Sequence, residues 1–245
     1  MKPFAVIVLA AGRSSRFQDK HYRKPFVPLD NRAVWLHSVE RFLQRDDVGQ
    51  VLVVVSKDDR QMFQEKFGAN IAILGLQVVE GGDQRGDSVK NALCHVRPEC
   101  EFVAVHDAAR PCLVDEWIDR VFEAGRQSGA ALLAVPVVAT LKRASQRTVQ
   151  ETVPRAALWE AQTPQVFRRQ LLLDAYAHGD AGRATDDAEL VEKLGHPVTL
   201  VQGSPLNIKI TTREDLRLAE AVLKVLPKPK LLGFDHPFAN DDMWR

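Results

Sequence analysis

The chain has 245 residues, 45% hydrophobic and 27% charged, enough to bury a substantial core in one large domain without further staples. Its 33 basic residues against 32 acidic leave a net charge of +1, which argues against broad nucleic-acid or membrane-surface binding, since both demand a large basic excess. No apolar stretch approaches the roughly 20 residues of a membrane helix, and the first residues lack the apolar run and small-residue cleavage site of a signal peptide, so the expected location is the cytoplasm.

The first element is the apolar run Phe4–Leu9, a strand that empties into Ala10-Ala11-Gly12-Arg13-Ser14-Ser15-Arg16-Phe17, with Lys24-Pro25 one short loop later. Small residues let the main chain pass close to a ligand with its N–H groups aimed at phosphate oxygens, while Arg16 and Lys24 supply positive charge beside them. Neither of the commoner phosphate fingerprints fits, because Gly12 is the only glycine between Met1 and Val48 and no Gly-Lys-Ser/Thr follows. The reading is a nucleoside triphosphate site. Arg13 and Arg23 fit surface charges better.

A helix over Val34–Leu43, a strand at Val51–Val55, a helix at Arg60–Phe67 and a strand at Ile71–Val79 come next. That strand runs into Glu80-Gly81-Gly82-Asp83-Gln84-Arg85-Gly86-Asp87-Ser88, where Asp87 or Ser88 would cap a helix extending to Val96. Glycine backbone at Gly82 suits hydrogen bonding to a pyrimidine edge; an ordinary strand-to-helix turn explains the same residues equally well. The strand Phe102–His106 then delivers Asp107 and Arg110 at its carboxyl end. Asp107 could hold Mg²⁺ or a substrate hydroxyl there, the alternative being a structural ion pair, and His106 reads as a packing or hydrogen-bonding residue.

A helix at Glu116–Arg126, a strand at Ala130–Val138, a helix at Asp187–Leu194, a strand at Val198–Val201 and a helix at Arg213–Val225 complete the series. Asp186-Asp187-Ala188-Glu189 reads as helix capping in preference to metal binding. Lys209 alternates with isoleucines ahead of the capping signal Thr211-Thr212-Arg213-Glu214, which sets it at a strand-to-helix junction. Cys94, Cys100 and Cys112, odd in number and without CxxC spacing, read as packing residues. Strands apolar on both faces alternating with amphipathic helices make an α/β, doubly wound, mostly parallel sheet, with ligands beyond the carboxyl ends of its strands. The domain spans residues 1–226. Prolines at 227 and 229 end the last helix, and for the tail over 227–245 the residues Phe234, Phe238 and Trp244 suggest docking on a surface, with a disordered terminus as the alternative.

Five blocks in order carry a specific resemblance: Ala10-Ala11-Gly12-x-x-x-Arg16; Gly81-Gly82-Asp83-x-Arg85-x-Asp87-Ser88-Val89; Val105-His106-Asp107-Ala108-Ala109-Arg110-Pro111; Thr163-Pro164-Gln165; and Asn207-Ile208-Lys209-Ile210-Thr211. Together they resemble the 2-C-methyl-D-erythritol 4-phosphate cytidylyltransferases of the non-mevalonate isoprenoid pathway, over about residues 4 to 225. The resemblance implies that Arg16 and Lys24 stabilise the transition state at the α-phosphate, and that Ala10, Ala11, Gly12, Gly82, Asp83 and Ser88 contact CTP. It implies that Asp107, Arg110, Thr140, Arg155, Thr163 and Lys209 bind or orient the polyol phosphate, with Arg155 and Lys209 among the catalytic set. It also implies a homodimer, because Thr140 and Arg155 would lie on a projecting β-arm, about residues 137–156, that crosses to the neighbouring subunit. Val137–Pro154 suits an arm, being polar, threonine-containing and without helical period.

Two positions depart from the pattern: Pro25 stands where many members have glutamine, and Ala139 where many have aspartate. Ala139 removes a carboxylate on the acceptor side, so a ribitol-5-phosphate cytidylyltransferase is the alternative enzyme; a non-catalytic nucleotide sensor is a more distant one. The chemistry expected follows from charge. A phosphate monoester with a second pKa near ~6 is mostly dianionic at neutral pH and needs no general base, so cations and Mg²⁺ must bring two anions together and absorb charge as pyrophosphate leaves.

Overall fold

The computed structural model describes residues 2–12, 24–179, 182 and 184–228. Its strands are β1 (Phe4–Leu9), β2 (Pro28–Leu29), β3 (Arg32–Ala33), β4 (Val48–Val55), β5 (Gln77–Glu80), β6 (Phe102–Asp107), β7 (Ala130–Pro136), β8 (Leu141–Ser145), β9 (Thr148–Val153), β10 (Trp159–Arg168) and β11 (Thr199–Gln202). The helices are α1 (Val34–Leu43), α2 (Arg60–Ile73), α3 (Arg85–Leu93), α4 (Asp115–Ser128), α5 (Arg169–His178), α6 (Asp187–Lys193) and α7 (Arg213–Val225). The central sheet has seven strands in the order β11-β7-β10-β6-β1-β4-β5, and all run parallel except β10.

The alternation of each strand divides the core into two layers. Phe4, Val6 and Val8 of β1 join Val51, Val53 and Val55 of β4 on the face covered by α1, α2 and α4, where Trp35, Phe42, Phe63 and Phe122 are buried. Ala5 and Ile7, with Leu52 and Val54, point the other way into α3, α5 and α6, against Val89, Leu172, Tyr176 and Leu190. Strands buried on both faces are apolar throughout because no face of them meets water. This is the doubly wound α/β architecture expected.

Several boundaries differ. Residues 71–73, expected in a strand, finish α2, and β5 begins only at Gln77. β10 and α5 were not anticipated. Pro164 and the polar Gln162, Thr163 and Gln165 argue against a central strand, yet all three polar side chains are buried there, each partnered outside β10's own ladder. Gln162 Nε2 donates to Ser204 O at 2.9 Å, and Gln165 Oε1 accepts from the N–H groups of Asp187 and Ala188 at 3.2 and 3.1 Å. The register between β10 and β7 shifts between Ala161 and Gln165, and the Thr163–Pro164 peptide is cis. Lys209 lies on an extended segment that belongs to no strand.

The expected arm is a hairpin. β8 and β9 pair antiparallel as a separate sheet whose side chains are exposed on both faces, apart from half-buried Leu141 and Val153. The tail from 229 onward lies outside the described residues.

Candidate active site

The carboxyl ends of the central strands line up. In register, Leu9 of β1 faces Asp107 of β6 and Val54 of β4, and Val55 faces Glu80 of β5. The segments that follow these ends therefore share one rim of the sheet: Ala10–Gly12 after β1, the turn 81–84 after β5, and Ala108–Arg110 after β6. Ala10 is buried and its N–H donates to Val54 O at 2.8 Å, which anchors the start of the loop. Arg16 lies outside the described residues. Lys24 opens a short 3-10 turn at Lys24–Phe26, whose Phe26 ring is buried against Phe63; the Lys24 side chain lies outside the described part.

The turn after β5 is folded tightly onto α3. A Cβ at Gly81 would come within 2.8 Å of Ala11 Cβ, and one at Gly82 within 2.3 Å of Asp87 Cβ, so neither position admits a side chain. Asp87 and Ser88 do not cap α3 as N-caps. The N-cap is Gln84, whose N–H donates to Asp87 Oδ2 at 3.1 Å in a capping box, while the buried Ser88 Oγ accepts from Gly82 N–H at 3.1 Å and donates to Gln84 O at 3.1 Å. Asp83 is exposed at the tip.

Asp107 is the hub of the other half. Lys209 Nζ lies 2.7 Å from its Oδ2, Arg110 Nε 3.7 Å from the same oxygen, and Arg85 Nε 3.8 Å from Oδ1. Burial would raise the Asp107 pKa, but Lys209, Arg85 and Arg110 together hold it well below the usual carboxylate range. Lys209 is placed by its neighbours: Arg110 Nη1 donates to Asn207 O at 2.7 Å and Ile210 N–H to Ala109 O at 2.8 Å, fastening its segment beside the rim. Thr212 then caps α7 through Asp215 N–H, with Asp215 as its capping-box partner.

Beneath the hub the polar groups form a closed chain. Asp107 N–H donates to Thr163 Oγ1 at 3.0 Å, the Thr163 hydroxyl lies 3.1 Å from His106 Nδ1, and His106 Nε2 lies 3.1 Å from Arg110 O. A carbonyl only accepts, so Nε2 carries the proton and Nδ1 accepts from Thr163. His106 is fully buried, and desolvation lowers its pKa to about 4, so it stays neutral in this role. The sequence reading of His106 as a hydrogen-bonding residue is borne out. Asp186 likewise caps α6, accepting from Glu189 N–H at 3.0 Å.

Thr140 and Arg155 sit at the base of the hairpin, both exposed. Arg155 Nη1 donates to Val138 O, and among the described residues no hydrogen bond or ion pair joins either residue to the Asp107 cluster. The residue missed from sequence is Arg85. It was visible only as one arginine in the glycine-rich block, and nothing local shows that it reaches Asp107. Hollows of about 360 Å³ beside α1 and α2 and about 460 Å³ beside α5 and α6 share no residue with the rim. The site is an open, cationic edge.

A family profile described as 2-C-methyl-D-erythritol 4-phosphate cytidylyltransferase matches residues 4–225. The chain belongs to this family. A Rhodopirellula baltica protein of that name is 42% identical over 230 residues, covering 89% of this chain and 94% of its own. A Clostridioides difficile protein of the same name is 35% identical over 224 residues, covering 91% and 94%. Among solved structures, the cytidylyltransferase of that name from Thermus thermophilus superposes with a TM-score of 0.75 at 33% identity, covering 89% of this chain and 98% of that one. The family assignment covers the whole described rim. No described helix is long and apolar enough to cross a membrane.

Proposed function

We propose that this chain transfers CMP from CTP to 2-C-methyl-D-erythritol 4-phosphate, releasing pyrophosphate and forming 4-diphosphocytidyl-2-C-methyl-D-erythritol. The observation that carries the reading is the convergence of Lys209, Arg110 and Arg85 on Asp107, one register pair away from the Ala10–Gly12 loop. Two phosphate-bearing substrates need two neighbouring cationic subsites, and a family match over residues 4–225 supplies their identity. Arg110 Nε is buried without a hydrogen-bond partner, a donor still to be satisfied on the acceptor side.

In this reading the acceptor's phosphate oxygen attacks the α-phosphorus of CTP in line, and the bond to the β-phosphate oxygen breaks. Arg16 and Lys24 meet the α-phosphate and the departing pyrophosphate. Gly82, Asp83 and Ser88 frame the cytosine, with Ser88 holding the turn in shape. Lys209 and Arg110 receive the acceptor phosphate, and Asp107 fixes both cations and takes an acceptor hydroxyl; Thr163 supports Asp107 through its backbone. Magnesium, when bound, would supply counter-charge to the triphosphate. Asp107 is the candidate ligand on the rim, but its Oδ2 already carries the Lys209 ammonium at 2.7 Å, and among the described residues no cluster of three or more acids, histidines or cysteines could hold a metal. An ion that takes its oxygens chiefly from triphosphate and water fits these donors better.

The hairpin completes the proposal. Val138 and Val149 are 80% and 58% exposed, so a second copy that covered them would bring Thr140 and Arg155 to the neighbouring rim as a homodimer. The enzyme would work in the cytoplasm on small anions, without nucleic acid or membrane.

Pyrophosphate release measured over the four nucleoside triphosphates against methylerythritol and ribitol phosphates tests the reaction. The expected result is release with CTP and methylerythritol 4-phosphate, lost by about 3–4 kcal/mol of transition-state stabilisation in Lys24→Ala. Binding of CTP with no turnover on any acceptor would overturn it.

A further inference from the structure

Arg85 opens α3 immediately after the nucleotide-side turn, yet its guanidinium reaches across to the acceptor side. Nη2 lies 2.7 Å from Asp187 Oδ2, while Nε lies 3.8 Å from Asp107 Oδ1. Asp187 is completely buried, its other oxygen accepts from Tyr176 OH at 2.5 Å, and its N–H donates to Gln165 Oε1 at 3.2 Å. A carboxylate held this way is a fixed peg for the arginine. Burial disfavours the guanidinium charge, but Asp187 and Asp107 outweigh it and raise the Arg85 pKa, so the charge is permanent.

Asp107 is thus flanked on both oxygens, by Lys209 at 2.7 Å on Oδ2 and by Arg85 at 3.8 Å on Oδ1. The second distance is too long for a hydrogen bond, so Arg85 acts on Asp107 through its charge, from the side opposite Lys209 and Arg110 on Oδ2. What a cation on Oδ1 adds is direction: it opposes the pull of the other two and sets the plane of the carboxylate. We propose that Arg85, hung from the Asp187 peg, is a positioning residue that orients Asp107, and through it Lys209 and Arg110, for the acceptor phosphate. The inference rests on the cytidylyl-transfer reading above and names a residue that acts on the acceptor from the nucleotide-side helix.

Arg85→Met alone leaves Asp187 buried without its counter-charge, so its melting temperature should fall. Arg85→Met combined with Asp187→Asn removes both charges and should bring the melting temperature back toward wild type. Arg85→Lys keeps a cation near Asp187 but cannot span both carboxylates. In all three, the KM for methylerythritol 4-phosphate is expected to rise about tenfold while the KM for CTP stays within about twofold, since ångström-scale misplacement of a substrate-orienting group costs up to ~100-fold. A wild-type acceptor KM in the double variant would reduce Arg85 to a partner of Asp187 and overturn the inference. So would a rise confined to the KM for CTP, which would make Arg85 a nucleotide contact. If wild-type protein released no pyrophosphate with any acceptor, the transfer reading would fail and this inference with it, an outcome distinct from the other two.

Discussion

The rim around Asp107 and the β8–β9 hairpin are built from similar polar residues and behave oppositely. At the rim, side chains from β6, β10, α3, α6 and the 207–211 segment converge on buried Asp107, His106, Thr163 and Asp187, and most of these contacts join residues far apart in the chain. On the hairpin, Arg143 pairs with Glu151 directly across the strands, both side chains more than half exposed at 64% and 56%. Burial makes the first network strong and brittle, while exposure makes the second weak and forgiving. A rim that holds its cations by mutual contacts and a hairpin that leaves its charges in solvent divide the polar residues this way.

The comparison breaks most sharply at the hub. Asp107→Ala strands Arg110 and Lys209 beside each other without an anion, and is expected to cost about 3 kcal/mol or more in urea unfolding. A variant of wild-type stability would mean that the cations rearrange freely and that the rim is not the tight network described. His106→Phe comes next, because it leaves the Thr163 hydroxyl proton without an acceptor and the Arg110 carbonyl without a donor, at a cost of ~2–3 kcal/mol near neutral pH.

His106 also predicts a pH signature. Its folded pKa of about 4 lies below the ordinary 6.5, so the unfolded chain binds the extra proton first. Stability from a neutral His106 is complete above about 6.5 and is lost as pH falls toward 4, by about 3 kcal/mol over the window. The Asp107 contribution, from a depressed carboxylate, is lost only below the ordinary Asp value. Urea midpoints of wild type should therefore slide down across that window, and those of His106→Phe should slide much less. Equal slopes would show that His106 is not the group being titrated.

Smaller effects sharpen the contrast. Thr212→Ala removes the N-cap of α7 behind Lys209 and should cost ~1 kcal/mol. On the hairpin, Arg143→Ala should change thermal stability by less than ~0.5 kcal/mol. A larger loss there would mean that the arm is part of the core after all.

Much of this molecule was legible before folding. The strands β1, β4 and β6 and the helices α1 and α7 follow from runs of apolar residues and from capping pairs, which are local signals with their own periods. The end of β1 at Leu9 and the capping of α6 by Asp186 were readable for the same reason. β10 was not, because its polar residues look like loop until their partners on β6, α6 and the 203–207 segment are known. The false strand at 71–73 failed differently: Ile71 and Ile73 suit either period, and continuation of α2 from Arg60 decided between them.

By itself, the amino-acid order determined which segments must be buried, where the chain turns, and that small residues and cations gather after the first strand, since all of these depend on neighbours a few positions apart. Only the tertiary structure decided that Arg85 meets Asp187 across 102 positions, that Thr163 and His106 lock the backbone of Asp107, and that Lys209 lies on its carboxylate. Those pairings exist because the sheet order sets β10 beside β6 and brings the starts of α3 and α6 to one edge, and strand order is a property of the whole packed core.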